Sequence, residues 1–170
     1  DARMVAAIGF AFAIQFFSIS TGIGLMIAST ALVSRQIGMG DHERARHEAT
    51  SAMIITVLCQ TVVAVVVIVF RYPLLDIVGA TAETLEHAAR YLLLTIPSLT
   101  VMAVGLVGSA ILRAEGDGMR SMFVTLSAGV VAMVIDPVLI LWLGMGLDGA
   151  SLVINISRLV LAIVALRFAI

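Results

Sequence analysis

Five long apolar stretches, separated by short charged segments, organise this chain. They cover about residues 4–34, 49–70, 91–112, 121–143 and 149–170. A helix needs about 20 apolar residues to cross the hydrocarbon core of a bilayer, and each stretch meets that length. The first carries no charge from Met4 to Ser34 and exceeds one crossing, so it must tilt or protrude. The second is dense in β-branched residues, among them Thr61, Val62, Val63 and Val65 to Val67. In water such a run suggests a strand. In lipid a lone strand leaves its backbone groups unpaired, so a helix is expected. The predicted fold class is all-α, a polytopic transmembrane helix bundle with five spans.

The connections set an orientation. Loop 35–48 carries Arg35, Arg44 and Arg46, loop 113–120 carries Arg113 and Arg120, and Arg167 falls on the same side. The opposite side has Arg3, Arg71 and Arg90. Basic residues are retained in the cytoplasm, which places loops 35–48 and 113–120 there. Tyr72, Tyr91 and Trp142 fall at the outer ends of their spans, a depth that amphipathic rings prefer. Two inner junctions look alike: Arg35 leads to Gly40-Asp41, and Arg113 to Gly116-Asp117. Each pairs a glycine able to take positive φ with an Asp able to cap the next helix, a hint of an internal repeat of helix pairs. His42, Glu43, Arg44, Arg46 and Glu48 read as a solvated helix start.

Composition agrees with a lipid-solvated chain. Hydrophobic residues make up 61% of it and charged ones 12%, against about 45–50% and 25% in soluble domains. The net charge of -1 gives no electrostatic case for a nucleic-acid partner. Cys59 is the single cysteine, so no disulfide forms within the chain, and it reads as a small buried hydrophobe. His42 and His47 are poorly spaced for one helical face, and no metal site is expected. No Ser–His–acid set, P-loop or dinucleotide fingerprint occurs, so no catalytic residues and no enzyme activity are expected. The sequence runs from Asp1 to Ile170 with apolar segments near both ends, which we read as part of a longer protein.

Asp136 is the outstanding polar residue. An acid inside a spanning helix costs on the order of 2.5–3.5 kcal/mol on insertion scales, and such residues mark ion or proton pathways. Pro137 follows it, cannot donate to the Met133 carbonyl, and is expected to kink the helix beside the carboxylate. Across the turn 144–148, Asn155 falls at a depth similar to Asp136, and Arg158 about one turn deeper. Arg158 is thus a possible ion-pair partner of Asp136, or snorkels inward. Gln15, Ser18, Gly22 and Ser29 form a weakly polar stripe, in which Gln15 and Ser18 are expected to line a cavity and Gly22 and Ser29 to make helix contacts. Gly105 and Ser109 form a small-xxx-small packing pair. The nine methionines could furnish an adaptable apolar surface, with Met26 and Met133 as possible cavity lining, although packing filler is the default reading of methionine.

Several ordered motifs carry a family resemblance. The run Gly22-Ile23-Gly24 through Ala31-Leu32-Val33-Ser34-Arg35-Gln36-Ile37-Gly38-Met39-Gly40-Asp41 resembles the second-helix signature of the multidrug and toxic compound extrusion (MATE) family. Pro73 to Ala80 followed by Ala88-Ala89-Arg90-Tyr91-Leu92 is similar to its segment between helices three and four. Leu112-Arg113-Ala114-Glu115-Gly116-Asp117 is similar to its loop before helix five. Ile135-Asp136-Pro137 with Gly144 to Ala150 resembles its helix five to six region. The resemblance implies that residues 1–170 are helices two to six of the N-terminal lobe of a two-lobed, twelve-helix exporter, with the first helix and second lobe as further partners. It implies multi-pass residence in the cell (inner or plasma) membrane and antiport of a small cationic or amphipathic molecule against H⁺ or Na⁺, with no other cofactor. Asp136 corresponds to the family's helix-five acid in the coupling pocket, with Asn155 nearby. Ala132, Gly105 and Ile154 stand where members often carry polar residues, which favours a proton over Na⁺, since a hard cation wants several oxygens. Two other readings stand beside efflux by alternating access: a flippase or exporter of lipid-linked or polysaccharide precursors, and a non-transporting membrane assembly protein in which Asp136 and Arg158 are structural.

Overall fold

The computed structural model describes residues 2–79, 82–137 and 146–169, with side chains described for 9–79, 85–135 and 152–168. Among these residues the chain forms helices and no strand. They are α1 (Ala2–Gly38), α2 (His42–Val69), α3 (Arg71–Val78), α4 (Ala82–Ala114), α5 (Gly118–Pro137) and α6 (Gly146–Ala169). Four of them, α1, α2, α4 and α5, are long and apolar enough over their described residues to cross a membrane. The fifth expected span falls on α6, which is not among these four over its described residues, so the structure shows four spans where five were expected. The expected stretch 138–143 lies outside the described residues, and with it Trp142.

Most helices begin earlier than the apolar stretches do. The second starts at His42 because the Asp41 side chain accepts from the Arg44 backbone N–H at 3.0 Å and caps it. The fourth starts at Ala82, since Glu86 and Arg90 in its first turns do not oppose helix formation. The stretch 71–90, expected as a connection, holds the separate helix α3. Pro73 has no N–H for the Val69 carbonyl, and α2 stops at Val69. Arg71 Nη1 then donates to the Ile68 carbonyl at 3.1 Å, serving the open end of α2. Gly79, at φ 93°, closes α3 in the left-handed region that glycine tolerates.

The two similar junctions match bond for bond. After α1, Gly40 N donates to Ile37 O at 2.9 Å and Asp41 N to Gln36 O at 3.1 Å. After α4, Gly116 N donates to Arg113 O at 3.1 Å and Asp117 N to Leu112 O at 2.9 Å. Asp117 caps α5 by accepting from Arg120 N at 3.0 Å, as Asp41 caps α2. Both aspartates also pair with the arginine three residues on, at 3.3 Å and 3.0 Å.

The central helix is α4, which packs against all five others. Its most apolar window is 56% buried, against 11% for α5, so α4 forms the core and α5 lies at the edge. Leu92, Ile96 and Leu99 of α4 meet Ala11 and Ile14 of α1 and Leu75 of α3. Nearer the inner end, Val107 and Ile111 meet Val33 and Ala45, and Leu112 meets Val124, Leu161 and Ala165. Small residues permit this approach. A Cβ on Gly105 would lie 2.7 Å from Leu161 Cγ, and one on Gly22 would lie 2.9 Å from Gln60 Nε2. Ser29 is buried and donates to the Leu25 carbonyl.

The outside of the bundle is apolar. Phe12, Phe16, Phe17, Leu58, Val62 and Met133 are among the large exposed hydrophobes, a surface that suits lipid and not water. Cys59 belongs to this exterior and is exposed, contrary to the expected burial. The reason is that in lipid the polar and small residues of α2, Ala52, Thr56, Gln60 and Ala64, pack inward, and the larger apolar ones face out.

Candidate functional site

Polar side chains from three helices converge on one turn of α4, around Pro97. Without an N–H, Pro97 leaves the Leu93 carbonyl without its helical donor and loosens this turn. Asn155 and Arg158, one turn apart on α6, share a face and meet α4 here. Asn155 Nδ2 donates to the Leu94 carbonyl at 3.1 Å. Arg158 Nη1 donates to the Thr95 carbonyl at 3.3 Å and to Ser98 Oγ. Ser98 Oγ in turn donates to the Thr95 carbonyl at 2.7 Å. From the other side, Gln15 Nε2 of α1 donates to Thr95 Oγ1, which donates to the Tyr91 carbonyl at 2.8 Å.

Two acceptor-capable atoms in this region lack a partner: Asn155 Oδ1 and Ser18 Oγ are buried and accept no hydrogen bond from the described residues. Ser18 also gives its carbonyl to Gln60 Nε2 of α2 at 3.0 Å. Arg158 is a basic residue within the apolar helix α6, and its described hydrogen-bond partners are neutral oxygens. Chemically, the turn offers a fixed positive charge, an open amide oxygen and an open hydroxyl.

The candidate residues therefore separate. Gln15, Asn155 and Arg158 come together at Pro97, and Ser18 lies one turn along α1 from Gln15. Gln15 and Ser18 are 4% and 1% exposed, enclosed between helices in this arrangement. Met133 is exposed on α5. Met26 is half-buried near the inner end, with its sulfur 3.9 Å from Arg113 Nη2. Asp136 and Pro137 close the described part of α5. Their side chains, and with them the Asp136–Arg158 pairing and the Pro137 kink, lie outside the described residues. Sequence reading passed over Thr95, Ser98 and Gln60. A proline inside a buried helix flanked by two hydroxyl residues, Thr95 and Ser98, was the available signal, since it marks an irregular polar turn where neighbouring helices can place donors.

The apolar exterior, the helical topology and polar contacts confined between helices define a polytopic α-helical membrane protein. The chain belongs to the MatE family, whose model matches residues 1–138. A FAD transporter from Shewanella oneidensis is 24% identical over 160 residues, which cover 92% of this chain and 35% of that protein. Multidrug resistance protein MdtK from Yersinia pseudotuberculosis is 31% identical over 127 residues, covering 74% of this chain and 28% of that protein. The chain thus spans roughly a third of the length of the curated relatives it matches. Solved structures agree in fold. An outward-facing multidrug resistance MATE family transporter matches with a TM-score of 0.88 at 26% identity, over 96% of this chain and 36% of that one. An inward-facing one matches with a TM-score of 0.89 at 26% identity, over 98% of this chain and 38% of that one.

Proposed function

We propose that the full-length protein is a secondary active exporter of drugs or other cationic or amphipathic compounds, driven by exchange for H⁺. Residues 1–170 would be helices two to six of its N-terminal lobe. The observation that carries this reading is membership of the MatE family over residues 1–138, a span that includes Asp136. Alternating access is supported by the near-equal likeness to an outward-facing and an inward-facing transporter. One arrangement of these helices serves both states, as expected if the lobe tilts as a unit.

In this mechanism Asp136 takes up and releases the coupling proton. An exchanger works only if ion and substrate bias the two states differently. Protonation removes a charge whose cost in a lipid-spanning helix differs between an aqueous and an occluded setting, which supplies that bias. The polar turn at Pro97 ties α1, α4 and α6 together, so a change at the outer end of α5 and α6 is transmitted to helices that would face the central cleft. Na⁺ is the less favoured ion, because the positions of Ala132, Gly105 and Ile154 supply no side-chain oxygen.

A second reading, export of an anionic lipid-linked or polysaccharide precursor, rests on Arg158, a membrane-embedded cation held by neutral oxygens. Dye efflux by the full-length protein in cells tests the leading reading. Asp136→Asn at equal membrane expression should abolish efflux. Unchanged efflux would remove Asp136 from the coupling role, and wild-type cells that efflux no dye at all would count against drug export.

A further inference from the structure

Two adjacent hollows lie toward the arginine-rich end of the bundle. The polar one, of about 750 Å³, is lined by Arg46 and Thr50 of α2, Glu115 beyond α4, Arg120 of α5, and Arg167 and Phe168 of α6. The apolar one, of about 630 Å³, lies between α2, α4 and α6 and is lined by residues such as Ile54, Val57, Val101, Val104 and Ile163. Met53 and Leu166 line both, so the charged hollow adjoins the apolar groove. From Leu166 the groove climbs α6 to Leu159, about 10 Å toward the membrane centre.

The charges are unequal. Three arginines line the polar hollow against the single carboxylate of Glu115. Arg120 is held by Asp117 at 3.0 Å and lies 5.9 Å from the centre of the Phe168 ring. The side chains of Arg46 and Arg167 have no hydrogen-bond or ion-pair partner among the described residues. Two unengaged guanidiniums at the membrane surface, above a groove with no polar lining, ask for an occupant with an anionic head and an apolar tail. A guanidinium suits phosphate oxygens through paired N–H donors.

We propose that this seam binds an anionic phospholipid, with its phosphate between Arg46 and Arg167 and one acyl chain along the groove between α2, α4 and α6. The proposal is independent of what the protein transports. The arginine bias that orients the chain places the site in the inner leaflet, where anionic lipids attract basic residues near the surface. The lipid would act as a wedge joining the starts of α2 and α5 to the ends of α4 and α6.

The test uses the full-length protein in detergent micelles, titrated with phosphatidylglycerol or phosphatidylcholine and followed by native mass spectrometry. Phosphatidylglycerol should bind saturably and at least tenfold more tightly than phosphatidylcholine. Each arginine removed should weaken it about fivefold, so Arg46→Gln with Arg167→Gln should erase most of the preference. Arg35→Gln, on the same face but outside the hollow, should leave it unchanged. Val57→Trp, which fills the exposed groove, should weaken the phosphatidylglycerol complex several-fold while the melting temperature stays at the wild-type value. Equal binding of the two lipids overturns the proposal. So does a preference that survives loss of both arginines, which would put the lipid elsewhere. Indifference to Val57→Trp would reduce the site to a headgroup contact, and no saturable binding at all would mean that another part of the protein covers the groove.

Discussion

Gly105 is where the packing of α4 on α6 can be tested with a single methyl group. A Cβ there would lie 2.7 Å from Leu161 Cγ, 2.8 Å from Leu161 Cδ2 and 3.2 Å from the Ala162 backbone nitrogen. The leucine side chain could swing away at the cost of its buried position, but the Ala162 backbone can yield only if α6 moves. Overpacking of this kind costs about 1–3 kcal/mol. Replacing glycine by alanine inside a helix also returns about 1 kcal/mol of helix propensity. Gly105→Ala should therefore be neutral to destabilising by about 2 kcal/mol. Gly24 is the internal control, since a Cβ there meets nothing within 4 Å, and Gly24→Ala should be neutral or stabilising. The assay is thermal unfolding of the purified full-length protein in micelles. Leu161→Ala in the Gly105→Ala background should recover part of the loss, with a coupling energy of about 0.5–3 kcal/mol. A Gly105→Ala protein that melts as high as Gly24→Ala, with no coupling to Leu161, would refute the close approach of α4 and α6.

Three further outcomes follow from the contacts. Gln15→Leu should lower stability by no more than about 1.7 kcal/mol, the upper end for interhelical hydrogen bonds in lipid, because Thr95 Oγ1 keeps its bond to the Tyr91 carbonyl; a larger fall in unfolding free energy would give Gln15 a role beyond this tie. Asp41→Ala and Asp117→Ala should each cost about 0.5–2 kcal/mol as lost helix caps, and amide hydrogen exchange should rise in the first turns of α2 and α5 alike. Arg158→Leu should leave the melting temperature unchanged or higher, because it removes a buried charge whose described partners are neutral, while transport falls; a lower melting temperature with normal transport would make Arg158 a structural tie.

The membrane architecture was legible because it depends on run length. Five apolar stretches of the right size became helices, and lipid solvation overrode the β-branched composition of α2. The Gly-Asp junctions were legible for a local reason: φ values of 76° at Gly40 and 87° at Gly116 are open chiefly to glycine, and an aspartate next to them caps the following helix. Reading for spans of membrane length passed over α3, although Pro73 near its start and Gly79 at its end marked it. Faces were less legible than elements. Cys59 was assigned inward and lies outward, because α2 turns its polar Thr56 and Gln60 inward and leaves apolar positions such as Val57, Leu58 and Val62 to the exterior. At the candidate site, Asn155 and Arg158 stood out as polar residues in an apolar run. Their partners did not, since Thr95 and Ser98 are common in membrane helices and only the fold brings them to α6.

In the mechanism we propose, Asp136 couples proton movement to export. The most direct measurement is proton flux in proteoliposomes holding the full-length protein, with a pH-sensitive dye inside and a cationic substrate added under an imposed pH gradient. Substrate-dependent proton movement is expected in the wild type and none in Asp136→Asn, with both proteins inserted to the same extent. Substrate-dependent proton movement that persists in Asp136→Asn would contradict that mechanism.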